Sequence, residues 1–150
     1  MTQPQTLQAR LGAISPSPEG TPDSEERVRA VAAAAIDRKA QDLRVLELTD
    51  VSDFTDYFVI CNGANARQVS AIAEAVERRL RSCGARPLHL EGSGRGQWVL
   101  LDYGDVVVHV FDPERRELYR LERLWSDAPD RTAELAPDGG PVSHGVPAAT

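Results

Sequence analysis

Apolar positions recur at helical spacing from Val28 to Ala40. Val28, Val31, Ala32, Ala35, Ile36 and Ala40 fall on one face, and Arg29, Asp37, Arg38 and Lys39 take the other. Asp23 and Glu26 have capping-box spacing, so a helix is expected to begin near Asp23. The pattern then shortens. Leu43 to Leu48 reads as a strand, and Thr49 to Thr55 as a polar connection. Tyr57 to Cys61 is a continuous apolar run, expected of a strand covered on both faces. Asn62-Gly63-Ala64-Asn65 is a turn in which Asn65 or a neighbour caps the next helix. That helix carries Val69, Ile72, Ala73, Val76, Leu80 and Cys83 on one stripe, and Gly84 ends it.

Pro87 to Glu91 is a short strand, and Gly92 to Gly96 reads as a flexible loop. Gln97–Asp102 and Asp105–Phe111 form a hairpin, because Gly104 in the intervening turn can take a positive φ. Asp112-Pro113 is an N-cap followed by proline at the first helical position. Leu118, Leu121 and Leu124 or Trp125 are expected to face inward from that last helix. The order is α-β-β-α-β-β-β-α: an α/β fold with a mixed sheet of about five strands and helices packed on it.

Composition sets the limits of the domain. Eight of the ten prolines lie in residues 1–22 and 129–150. The chain is therefore expected to divide into a disordered extension (1–22), a folded domain (23–127) and a disordered Pro/Gly-rich tail (128–150). The formal charge is −6. A mildly acidic domain suits a basic protein partner better than a phosphate backbone, so no sequence-specific nucleic-acid binding is expected. Cys61 and Cys83 read as small apolar residues in a reducing compartment. No apolar run is long enough for a membrane span, and the first residues do not resemble a signal peptide; a cytoplasmic protein is expected.

Several segments in series carry a resemblance. They are Asp37 to Asp42, Thr55 to Cys61, Arg67-Gln68-Val69, Glu91-Gly92, Trp98 to Phe111, and Leu121 to Trp125. In order and spacing they closely resemble the Iojap family, whose bacterial members are ribosomal silencing factors. The resemblance covers about Val28 to Ala128. It implies a nucleotidyltransferase-like mixed sheet and, commonly, a homodimer. It also implies a translational repressor that binds the large ribosomal subunit at ribosomal protein fourteen and blocks joining of the small subunit when nutrients are short. Organellar relatives point to large-subunit assembly.

A nucleotidyltransferase needs a Gly-Ser pair at a helix start and two carboxylates one residue apart on a strand. Here Asn62-Gly63-Ala64 lacks the serine, and Asp105 is followed by Val106 and Val107. An enzyme is therefore not expected. Gly92 to Gly96 runs into a strand rather than a helix, unlike a phosphate loop. His89, His109 and His144 show no ligand spacing, so neither metal nor cofactor is expected.

Trp98, Leu100 and Asp102 share one face of an alternating strand, and Val99 and Leu101 share the other. Asp102 is not expected to be buried unpaired, which turns the Trp98 face toward solvent or a partner. The alternative places Trp98 under a helix, and the resemblance favours the partner. The expected contact surface is Trp98, Leu100 and Asp102, extended to Tyr103, Gly104 and Asp105 at the turn, with His109 as a weaker member.

Overall fold

The structure is a computed structural model and describes residues 21–137. Helix α1 (Thr21–Asp37) leads into β1 (Gln41–Glu47) and β2 (Tyr57–Asn62). Helix α2 (Ala66–Ser82), β3 (His89–Glu91), β4 (Trp98–Asp102) and β5 (Val106–Phe111) follow. Three short helices close the described chain: α3 (Pro113–Tyr119), α4 (Leu121–Leu124) and α5 (Thr132–Leu135). The expected mixed five-stranded sheet forms, in the order β1-β2-β5-β4-β3. Only β2 and β5 run parallel, and the chain between them includes α2. A parallel pair needs such a crossover.

Local chemistry explains the elements. Asn65 accepts a hydrogen bond from the Gln68 N–H (2.9 Å), and Gln68 Oε1 accepts one from the Ala64 N–H (2.6 Å). This reciprocal cap starts α2 where the turn chemistry places it. The Gln68 amide also donates to the Arg38 and Lys39 carbonyls just after α1, so one side chain ties both helices together. Asp112 caps α3 through the Arg115 N–H (2.7 Å).

Cross-strand register sorts the side chains onto two faces. On one, Val45, Val59, Val108 and Leu101 form a row, with Cys61, Val110 and Val99 beside it. Helices α1 and α2 cover this face through Val28, Val31, Ala32, Ala35, Val69, Ile72, Val76 and Leu80, all buried. On the other face, Phe58, Val107 and Asp102 form one row, Ile60, His109 and Leu100 a second, and Asn62, Phe111 and Trp98 a third. Among the described residues no long helix lies there; Leu121 and Trp125 pack on it.

Four expectations need correction. A domain end at Asp127 comes too early. Glu47 N–H donates to the Pro129 carbonyl (2.9 Å), Arg131 N–H to the Val45 carbonyl (2.8 Å), and Leu135 and Ala136 are buried in the core. The folded chain thus continues to residue 137, and this strap covers the open edge of β1; residues 1–20 and 138–150 lie outside the described residues. The final helix is broken at Arg120, whose φ of 44° is left-handed. The break rotates Leu118 and Leu124 outward, to 68% and 71% exposure, rather than inward. Cys83 is exposed at the α2 C-cap, and only Cys61 is buried. Finally, the loop after β3 is held at Gly92. A Cβ there would meet the Trp98 carbonyl oxygen at 2.0 Å, and its φ is +80°.

Candidate partner-docking face

Trp98 stands at the start of β4 on the face that lacks a long helix. It is half-buried, and β4 alternates as expected: Val99 and Leu101 are fully buried while Trp98, Leu100 and Asp102 are not. Both readings of Trp98 capture part of the result. Tyr119, at the end of α3, lies against its ring with centroids 4.6 Å apart, and Phe111 supports it from the sheet at 5.1 Å. The indole is left intermediate in exposure.

His109 sits behind it. The Trp98 Nε1–H donates to His109 Nδ1 (3.2 Å), so that nitrogen is an acceptor and the imidazole is neutral with its proton on Nε2. His109 is only 4% exposed, and burial pushes its pKa down to about 3. The expectation that His109 contacts a partner is therefore corrected. Its place in the middle row of the sheet, opposite Leu100, makes it a support for the indole.

Two more of the expected contacts have other tasks. Tyr103 is 3% exposed and belongs to the helix-covered core, where burial raises its hydroxyl to about 12. Asp105 is held by α1: Ser24 Oγ–H donates to it (2.8 Å) and Arg27 pairs with it (2.7 Å). The same serine lies 3.3 Å from Asp56, whose carboxyl is raised above the usual range by burial, with the Asp105 charge adding to the shift. Asp105 thus anchors α1, with its carboxylate still partly accessible. Asp102 accepts from the Gly104 N–H (2.8 Å), and Gly104 has a φ of +94°, so these two shape the turn while remaining partly accessible. Of the seven expected residues, Trp98, Leu100, Asp102, Gly104 and Asp105 stay partly accessible, and Tyr103 and His109 are buried.

The surface extends further than expected. Phe54, 61% exposed, meets Trp125 edge-on at 6.4 Å, and Trp125 meets Phe58 at 5.8 Å. Tyr119 is 46% exposed. An aromatic network therefore crosses this face from Phe54 through Trp125, Phe58 and His109 to Trp98 and Tyr119, buried at Phe58 and His109 and exposed at its two ends. Partly accessible Trp and Tyr are the residue types that dominate contact hot spots. Glu91, which pairs across the sheet with Leu100, and Asp102 give one border of the strip an acidic character.

Among the described residues, no group of three His, Cys, Asp or Glu side chains is placed to hold a metal ion. No described helix is long and apolar enough to cross a membrane.

Comparison with known proteins agrees with the resemblance. The chain matches the family described as "Ribosomal silencing factor during starvation" over residues 21–145. It is 42% identical over 102 residues to the ribosomal silencing factor RsfS of Bacillus subtilis, covering 68% of this chain and 86% of that one. A mouse protein named mitochondrial assembly of ribosomal large subunit protein 1 is 27% identical over 139 residues, covering 89% of this chain and 61% of that one. A crystal structure of a Chromobacterium violaceum protein superposes with a TM-score of 0.66 at 35% identity, covering 67% of this chain and 84% of that one. The chain belongs to the ribosomal silencing factor family.

Proposed function

We propose that this member of the family represses translation by occlusion. The face bearing Trp98 and Leu100 docks on the large ribosomal subunit at ribosomal protein fourteen, and the body of the domain fills space that the small subunit needs. The observation that carries the reading is the half-buried Trp98, ringed by Tyr119 and Leu100 and backed by a neutral, buried His109. A rigid aromatic anchor with an accessible edge supplies contact energy at little entropic cost. The acidic border at Asp102 and Glu91 speeds encounter with a basic protein. The repressor acts in the cytoplasm under starvation and makes no bonds of its own: its turn carboxylates are engaged in holding α1 and the hairpin turn. Self-association into a homodimer belongs to the same reading, and exposed Leu118 and Leu124 offer apolar surface for it.

The test is subunit joining. Purified large subunits preincubated with excess protein are mixed with small subunits and sedimented. Free subunits should persist where the control forms whole ribosomes. Unchanged joining would remove the repressor reading. A second reading, assistance in large-subunit assembly, is favoured by the name of the mouse relative. It predicts that the protein sediments with immature particles and is absent from mature large subunits.

A further inference from the structure

Helices α3 and α4 are attached to the sheet in an unusual way. The only buried residue of α3 is Arg116, and α4 has none. An amphipathic helix normally holds to a sheet by an apolar stripe. Here a buried guanidinium adds to the partial cover from Leu121 and Tyr119. Arg116 is 6% exposed. Its Nη1 donates to Asn62 Oδ1 (2.8 Å) at the end of β2. Its Nε donates to both carboxylate oxygens of Glu122 in α4, each at 3.3 Å. Its Nη2 lies 3.5 Å from Asp42 in β1. Asn62 in turn donates to Gln41 (3.1 Å). One planar cation therefore hydrogen-bonds α3 to β2 and α4, and pairs by charge alone with Asp42 in β1, in a fork geometry that an ammonium cannot reproduce. Three residues further along α3, Tyr119 lies against Trp98.

We propose that Arg116 is a positioning residue for docking: through α3 it sets Tyr119 over Trp98 and so fixes the indole orientation that the large subunit meets. The inference rests on the docking role of Trp98. Removing the staple frees the elbow at Arg120 and lets Tyr119 leave the indole.

The experiment uses the full chain and four variants, Arg116→Met, Arg116→Lys, Glu122→Gln and Tyr119→Ala, with Trp98→Ala as reference. Binding is read by co-sedimentation with large subunits, and the free protein by the indole N–H signals in a nitrogen–proton spectrum. Arg116→Met should weaken binding roughly tenfold and shift the Trp98 indole signal while the α-helical circular dichroism persists. Arg116→Lys should restore binding only in part, and Glu122→Gln, which severs the α4 link alone, should fall between wild type and Arg116→Met. Arg116→Met combined with Tyr119→Ala should lose little more than either alone, since both act on the same contact. A purely structural arginine would lower the melting temperature without this non-additivity. If Arg116→Met fails to fold, Glu122→Gln and its combination with Tyr119→Ala decide the matter by the same criterion. Normal binding by the folded Arg116 or Glu122 variants, or additive losses, with Trp98→Ala still defective, would overturn the inference alone. Normal binding by Trp98→Ala would overturn the docking face itself.

Discussion

The two faces of the sheet are built on opposite principles. The face under α1 and α2 is apolar and closed: Val45, Val59, Val108 and Leu101 run across it, and Ile72, Val76 and Leu80 press on them from α2. The opposite face is aromatic, half-open and pinned by polar groups: Trp98 to His109, Arg116 to Asn62 and Glu122. Burial at roughly 25 cal/mol per Å² makes the first the main source of stability. The second leaves Phe54 and Tyr119 exposed beside Trp98, which is why the docking role is proposed there. Stability and the proposed recognition surface are thus separated by the thickness of one sheet.

That separation can be broken most forcefully on the closed face. Ile72→Ala should cost about 3 kcal/mol of unfolding free energy in urea, because the side chain is fully buried and its cavity cannot be filled by flexible neighbours. Below the unfolding transition its affinity for large subunits should match the wild type. A large affinity loss in the folded variant would show that the faces are coupled.

Acid sharpens the contrast. His109 is neutral in the fold down to about pH 3 but takes a proton near pH 6.5 when unfolded. Between those values the unfolded state binds more protons, so its contribution to stability is complete above about pH 6.5 and falls as pH drops. The slope approaches 1.4 kcal/mol per pH unit. His109→Gln keeps an acceptor for the Trp98 indole and should flatten the difference in stability between pH 6.5 and pH 4.5, as read by thermal melts. Equal acid sensitivity in both proteins would place the titrating group elsewhere.

The smallest effect belongs to the rim of the open face. Leu124→Ser should change stability by no more than about 0.5 kcal/mol, since the leucine is 71% exposed. A larger cost that grows with protein concentration would mean that Leu124 is covered by a second copy, as the homodimer reading requires, and the near-neutral value applies to the monomer at low concentration.

Much of this arrangement was legible in the chain. Periodicity placed Val28, Val31, Val69, Ile72 and Leu80 inside, and alternation in β4 separated Trp98 and Leu100 from Val99 and Leu101. The same alternation, carried one residue further, puts Tyr103 with Leu101 on the closed face; reading it as turn surface overrode the pleat. Asp105 and Arg116 found partners 78 and 54 residues away, and no local pattern reports such pairs. The break at Arg120 was invisible because Leu118, Leu121 and Trp125 fit helical spacing, while a left-handed residue resets the phase. The strap at 129–137 was obscured by its prolines and acids, although Leu135 and Ala136 are buried in the core and Arg131 bonds Glu47 at 2.7 Å.

The central claim is tested most directly by co-sedimentation of the full chain with purified large subunits, comparing wild type with Trp98→Ala. An anchor residue of this kind contributes about 2 kcal/mol, so the variant should bind roughly thirtyfold more weakly while its circular dichroism is unchanged. Equal binding by the two folded proteins would contradict the account.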